Sequence, residues 1–409
     1  VVNVRRKRRA VSEELKDTLV LSTIGFIVSL GQALISPILP LYALSFGVTV
    51  AMVGLLIAST SLARVLLDIP AGMVSDRLGV RRFMVAGLMI VALSAVISGS
   101  AIDYWMLLFG LVLQGIGSAI YLTVSYIAIG RVVPRPRRGR RMSLYISLQF
   151  LGASTGPVLG GVVAQFLGLN VPFFLYSALV LISAPVLWRA LRNAEVEKTV
   201  VARKVEPVHF RSILGNYTLM AINLSLLSIS LLRNGLLLTI VPLFAHSELA
   251  LTPSVLGTVL TLSAAANFLI LLPAGTLSDR IGRRGPMVGS LVMSAVTVFA
   301  LPYASDTVGF AVLMAVLGLS LGLTGSIGAW VADVAPPAQL GTAMGVFRTV
   351  GDLGSLIGPI VLTSIIGPSA VIGILPFIVT ATVLLLAATV VSRARDPAGE
   401  VARKRAEGS

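Results

Sequence analysis

The sequence predicts an all-α membrane protein, with twelve transmembrane helices arranged as two pseudo-symmetric six-helix halves. Three observations lead there. The 409 residues are 56% apolar and only 12% charged, with a mean hydropathy of +0.95, a composition that soluble domains do not show. Twelve apolar runs approach or exceed the roughly 20 residues that cross a bilayer. A short segment also occurs twice, Gly72-Met73-Val74-Ser75-Asp76-Arg77-Leu78-Gly79 and Gly275-Thr276-Leu277-Ser278-Asp279-Arg280-Ile281-Gly282, at an offset of 203 residues, about half the chain. Each copy closes an apolar run and opens a basic loop, the pattern of two homologous membrane halves joined end to end.

The runs have approximate limits 18–42, 51–73, 83–101, 104–130, 142–166 and 172–192 in the first half, and 213–244, 254–276, 286–304, 308–332, 342–366 and 369–392 in the second. They are numbered here spans one to twelve. Continuous apolar runs exclude a strand barrel, whose segments alternate over about ten residues. The first run is too long for a signal-peptide core and is expected to be a retained span. The expected organisation is therefore a basic tail at 1–17, a first half at 18–192, a linker at 193–212, a second half at 213–392 and a tail at 393–409.

Orientation follows from charge. All but Arg64, Arg233 and Arg348 of the 32 lysines and arginines lie in the two tails, in the linker or around the loops after spans two, four, six and eight. Basic residues are retained inside, so both termini and the linker are expected in the cytoplasm. The opposite loops carry only Asp103, His246, Glu248 and Asp306. The net charge of +15 is thus a topology signal. Beside a span, the tract Arg5-Arg6-Lys7-Arg8-Arg9 reads as inside retention and contact with anionic lipid, not nucleic acid.

The absence of cysteine excludes disulfides, thiolate metal sites and cysteine nucleophiles, and two histidines are too few for a histidine metal cluster. No glycine-rich loop ends in Lys-Ser or Lys-Thr to cradle a nucleotide phosphate. Neither an enzyme nor an ATP-driven pump is expected, and no cofactor or metal.

Further motifs sharpen the reading. Span five contains Gly152-Ala153-Ser154-Thr155-Gly156-Pro157-Val158-Leu159-Gly160-Gly161, echoed 202 residues later by Gly354-Ser355-Leu356-Ile357-Gly358-Pro359 in span eleven. Span one ends in Ser36-Pro37-Ile38-Leu39-Pro40-Leu41-Tyr42. Over essentially its whole length the chain resembles the major facilitator superfamily, and within it the twelve-span drug:proton antiporter branch. The loops starting at Gly72 and Gly275 resemble that superfamily's glycine-x-leucine-x-aspartate-arginine-x-glycine-arginine-arginine motif, with Met73, Val74 and Val80 as mild departures. The span-five segment resembles the motif of the antiporter branches, and the end of span one resembles the proline-rich end seen in drug exporters. One departure stands out: span four keeps Gln114-Gly115-Ile116-Gly117, but Leu111 occupies the position of the arginine that proton-coupled exporters usually carry.

The loop motif also has a physical reading of its own. Gly72 and Gly79 permit tight turns and close helix approach, and Asp76 and Asp279 offer a charge to a helix N-terminus or to an arginine such as Arg77 or Arg280. The resemblance implies that Asp76 lies near Gly341 and Thr342, and Asp279 near Met142 and Ser143. Arg81, Arg82, Arg283 and Arg284 are expected to act as topology anchors.

Charges inside spans are costly and mark functional candidates. Arg64 and Asp68 in span two, and Arg348 and Asp352 in span eleven, are each spaced i, i+4 and share a helix face. The equivalent positions in spans eight and five are Asn267, Leu271, Ile146 and Phe150, so charge is absent jointly from the other seam. Since the resemblance makes spans two and eleven neighbours, a four-charge cluster is expected, Asp68 facing Arg348 and Arg64 facing Asp352. A static lock and a proton-coupling device both fit that pattern. Arg233 has only Asn234 beside it. It either attracts an anionic or polar substrate group or bonds to a neighbouring helix. Gln32, Ser36, Gln114, Tyr121 and Asn267 are further cavity candidates in otherwise apolar spans, which suits a lipophilic or amphipathic cargo more than a sugar.

The expected function is a secondary transporter exporting small lipophilic compounds, with protons as the coupling ion, alternating access of the two halves, a monomeric state and a bacterial-type inner membrane. A nutrient or lipid carrier and a non-transporting receptor-like protein are the other readings the residues admit. The charge cluster supplies a direct test. Asp68→Asn and Arg348→Gln should each impair folding or transport, at about 3 to 5 kcal/mol for a broken buried pair. The double variant should recover part of that loss in a thermal-unfolding cycle; simple additivity would show that the two are not partners.

Overall fold

A computed structural model describes residues 2–132, 138–190, 215–336, 339–366, 372–397 and 399–400. Among the described residues every regular element is a helix, and twelve stretches are long and apolar enough to cross a membrane. Hydrocarbon offers the backbone no hydrogen-bonding partner, so each span must close its own i→i−4 ladder.

Four spans depart from plain α-helix, one of them span nine, which ends in a 3₁₀ turn at Leu301–Tyr303. Span one begins as a helix running from Val2 to Ile35, so the expected tail continues the span without a break. It is interrupted at 36–38 and resumes as a short helix over Leu39–Leu44. Pro37 and Pro40 lie at this break, where each removes one backbone donor from the ladder. Span seven, Tyr217–Ser247, is α-helical over Tyr217–Ser230, π-helical over Leu231–Ile240 and α-helical again over Val241–Ser247. Span ten tightens to a 3₁₀ turn at Leu323–Ser326, between helices Thr307–Gly322 and Ile327–Val334. The remaining spans are carried by helices Val50–Leu78, Val80–Gly99, Tyr104–Val132, Arg138–Leu167, Val171–Ala190, Pro253–Ile281, Arg284–Ala300, Leu340–Ser364 and Leu375–Ser392.

The chain divides into two compact units, one made of residues 1–46 and 62–202, the other of 47–61 and 203–409. Inside unit one, span one packs on spans five and six, and span three on spans four and six. Unit two repeats the pattern six spans later: span seven packs on eleven and twelve, and span nine on ten and twelve. The duplicated segments in the sequence thus correspond to duplicated packing.

Glycine makes the main seam of each unit. On span five, a Cβ added to Gly152 would overlap the carbonyl oxygen of Phe26, one on Gly156 would overlap Ala33, and one on Gly160 would overlap the backbone of Leu34. Pro157 and Gly161 are buried on the same helix. In unit two, a Cβ added to Gly354 would meet the Leu227 carbonyl oxygen at 2.6 Å, and one added to Gly235 would come within 2.7 Å of the Gly358 backbone. Gly54, at the start of span two, likewise lies against Pro359 and Thr363 of span eleven within unit two. Lipid is as apolar as a leucine side chain, so helices here associate through close van der Waals packing, which small residues allow.

The two classes of glycine should separate on mutation. At Gly160 the obstructing atoms are backbone and cannot turn aside, so Gly160→Ala should destabilise the detergent-solubilised protein by about 1 to 3 kcal/mol. Gly275 lies in a helix with nothing within 4 Å of an added Cβ, so Gly275→Ala should leave thermal unfolding unchanged or raise its midpoint.

Candidate functional site

Unit one holds a cluster of uncharged polar side chains from four spans. The Tyr145 hydroxyl of span five donates to Ser125 Oγ of span four at 2.8 Å and accepts from Gln149 Nε2 at 3.0 Å. Ser125 donates in turn to the Tyr121 carbonyl at 2.6 Å. The Tyr126 ring stands edge-on to that of Tyr145 at 5.6 Å. The fully buried Tyr121 hydroxyl lies beside the Tyr145 phenol but closes no well-formed hydrogen bond. Tyr176 of span six is also fully buried, its hydroxyl placed between the amides of Gln32 and Gln114 without a well-formed bond to either.

Local sequence explains how these bulky rings fit. Gly31 leaves the space that the Tyr176 ring fills, and Gly25 leaves space for the Tyr145 ring and the Gln149 stem. The structure therefore brings Gln32, Gln114 and Tyr121 into one neighbourhood, and adds Ser125, Tyr145, Gln149 and Tyr176. Ser36 stands apart, its hydroxyl bonded to the Ala33 carbonyl one turn earlier at 3.0 Å. Amides and phenols can exchange hydrogen bonds with a neutral or weakly polar guest while offering it no fixed charge.

The span-two charges lie in the same unit. Asp68 Oδ1 accepts from Thr123 Oγ1 of span four at 3.1 Å, and both Asp68 and Arg64 are half-buried. In unit two, Arg348 is exposed and Asp352 half-buried on span eleven. The expected pairing of Asp68 with Arg348 and of Arg64 with Asp352 joins residues of different units and remains an expectation. Arg233 sits in the π-helical part of span seven with its Nε buried and unbonded. Beside it, Asn234 Nδ2 donates to the Ser230 carbonyl at 3.2 Å and to Ser355 Oγ at 2.9 Å. Asn267 of span eight is buried, its Oδ1 without a partner among the described residues.

The second loop motif forms an ionic hub. Arg283 pairs with Asp279 at 2.5 Å and with Asp333, at the end of span ten, at 3.2 Å. Its guanidinium also donates to Ser278 Oγ, which bonds Ser326 Oγ at 2.9 Å. The Asp396 carboxylate, past span twelve, accepts from the backbone N–H groups of Arg283 at 3.1 Å and Arg284 at 3.0 Å, where the span-nine helix begins. Gly282 turns the chain there at φ +99°, and a Cβ would overlap Asp396. Arg283 is thus a structural partner and not merely an anchor. Asp279, 65% exposed, finds its partner inside unit two, whereas Met142 and Ser143 lie in the other unit. Arg280 is exposed.

In the first copy Gly79 makes the matching turn at φ +88°. Arg81 is buried at 8% exposure with its guanidinium 3.7 Å from the Trp188 ring centroid of span six, a cation–π contact that a topology anchor does not need. Of Gly72, Asp76, Arg77 and Gly341 only the helical backbone is described.

Comparison with known proteins settles the family. The model of the Major Facilitator Superfamily matches residues 21–246 and 222–408. The chain belongs to this superfamily. An uncharacterised MFS-type transporter of Methanocaldococcus jannaschii is 26% identical over 356 residues, covering 84% of this chain and 90% of the relative. Multidrug resistance protein 2 of Bacillus subtilis is 23% identical, covering 86% and 89%. Among solved structures, a bacterial homologue of the human lysosomal transporter Spinster, inward-facing and occupied, superimposes with a TM-score of 0.75 at 17% identity over 95% of this chain and 96% of that one. The protein is accordingly an integral multi-pass membrane transporter of the major facilitator type, resembling the drug:proton antiporter branch.

The Asp396 contact yields a prediction. Asp396→Ala removes two charge-assisted bonds from a helix start, so thermal unfolding should report a loss of about 1 to 2 kcal/mol. Gly282→Ala should be at least as harmful, since its backbone conformation and the carboxylate both exclude a side chain.

Proposed function

We propose that this superfamily member exports small lipophilic or amphipathic compounds across a bacterial-type inner membrane, both termini cytoplasmic, by proton antiport with alternating access. The observation that carries the reading is the charge-free polar cluster of unit one, built from Gln32, Gln114, Tyr121, Tyr145 and Tyr176 within otherwise apolar spans. Such a cluster suits guests that are mostly apolar with a few hydrogen-bonding groups, whereas a sugar needs many more polar partners. The multidrug resistance relative supports the export direction. The glycine face of span five supports the antiporter reading, because the segment that resembles the antiporter motif also sets the packing of span one.

Asp68 is the proposed proton carrier. It is an intramembrane carboxylate half-removed from solvent and held by the Thr123 hydroxyl, so its protonation would change a bond between spans two and four. Leu111 stands where related exporters usually carry an arginine, which leaves Arg64, one turn from Asp68, as the nearest fixed positive charge in span two. In this proposal protonation releases Asp68 from its partners and biases the two conformations differently.

Inverted membrane vesicles with an acid interior supply the test. Wild-type protein should accumulate a lipophilic dye in a gradient-dependent manner, while Asp68→Asn should bind the dye normally and lose most gradient-driven accumulation, by about tenfold or more. Equal accumulation with and without the gradient would instead mark a facilitative carrier, and undiminished gradient-driven uptake in Asp68→Asn would remove that residue from coupling.

A further inference from the structure

Span seven contains a cation that the described residues leave without a counter-charge. Arg233 sits at the middle of Tyr217–Ser247, in the first turn of the π-helical stretch. Its Nε is buried and no acceptor or carboxylate reaches its guanidinium among the described residues. The other two intramembrane arginines, Arg64 and Arg348, both have partners.

The polar groups around Arg233 do not fill the gap. Asn234 Nδ2 is engaged by the Ser230 carbonyl and Ser355 Oγ, and the Thr239 hydroxyl donates to the Asn234 carbonyl at 2.7 Å. Span seven contains no acidic residue. Asp352, the acid of span eleven, has its interactions elsewhere. The position is also fixed: two residues beyond the arginine, Gly235 lies so close to span eleven that a Cβ there would come within 2.7 Å of the Gly358 backbone. π-Helical turns are rare and occur often at functional sites. Here one holds an unpaired guanidinium at the depth where transporters of this architecture bind their cargo.

From these observations we infer that Arg233 is an anion-binding group of the transport site, taking the carboxylate, or a comparable single oxyanion, of an amphipathic cargo. The inference rests on the transport reading above and narrows its substrate class to amphiphiles with one negative head. Arg233 is half-buried with its Nε out of water, so an arriving carboxylate supplies the missing charge and can accept two parallel N–H bonds from the planar fork. A neutral analogue leaves the buried cation unpaired and is rejected on that account. Phospholipid phosphates lie about 15 Å from the bilayer centre, half the hydrocarbon thickness, so the anion is expected from a guest that enters the protein and not from a resident headgroup.

The test uses the full-length protein in detergent with two fluorescent probes, dansyl-aminoundecanoic acid and its methyl ester. Wild-type protein should bind the acid about tenfold tighter than the ester or more. Arg233→Gln should bring the acid down to the ester's affinity while leaving the ester within about twofold, and Arg233→Lys should keep part of the preference. Because no partner is stranded, Arg233→Gln should melt no lower than wild type. A wild-type protein without acid preference, a preference that survives Arg233→Gln, or an Arg233→Gln variant that fails to fold would each overturn the inference. Dye accumulation in vesicles separates this outcome from that of the transport reading. Flux without acid preference loses only the anion site, whereas acid preference without flux keeps the site and loses the transporter.

Discussion

Close backbone contact between one helix pair underlies each unit: span one against span five, and span seven against span eleven. In a bilayer neither pair gains from hiding apolar surface, because lipid solvates leucine as well as protein does, so the contact must come from atoms that touch. Gly152, Gly156 and Gly160 permit it in unit one, and Gly235, Gly354 and Gly358 in unit two. Once these backbones lie together, side chains that need polar company acquire it. Tyr145 of span five, itself bonded by Gln149, reaches Ser125 of span four, and Asn234 of span seven reaches Ser355 of span eleven. The same glycine faces therefore organise both the packing and the polar residues proposed to meet cargo.

The duplicated loops show how one ancestral device is put to different local uses. In unit two the aspartate–arginine motif closes on itself and on Asp333, and Asp396 ties the chain beyond span twelve to the start of span nine. In unit one the turn at Gly79 is kept, but Val80 replaces the arginine that corresponds to Arg283, and Arg81 stacks on Trp188 instead. The second loop is thus held by charge and the first by an aromatic face, a difference that ionic strength would expose, since screening weakens exposed ion pairs more than a buried cation–π contact.

Most of the architecture was legible in the sequence because the bilayer imposes a length and a hydropathy on every span. The twelve runs, their duplication and the family resemblance all follow from residues that lipid or tight turns require. Departures from ideal helix were less legible: Pro37 and Pro40 signal the break in span one, but Leu231–Ile240 has no composition that distinguishes a π-helix from an α-helix. In the candidate site, Gln32 and Gln114 stood out as amides in apolar runs. Tyr145 and Tyr176 did not, since tyrosines in spans read as packing, and only Gly25 and Gly31, opposite them in the fold, hint at the space they fill. Asp333 and Asp396 lie near span ends, where acidic residues are unremarkable in a sequence, and their partner Arg283 is reached only through the fold.

The central claim is that span one and span five form a fixed pair inside unit one. The chain contains no cysteine, so a single engineered pair can report on it. A Cβ at Gly25 would lie 3.2 Å from Gln149 Cγ, the place where a cysteine at position 149 would carry its sulfur, so a bridge between the two positions is within reach. In native membranes, the Gly25→Cys/Gln149→Cys variant should form an intramolecular disulfide under mild oxidation, to the same extent with or without a proton gradient or lipophilic cargo. A cross-link that fails to form, or whose yield changes when the gradient is imposed, would contradict a glycine-sealed, invariant pair.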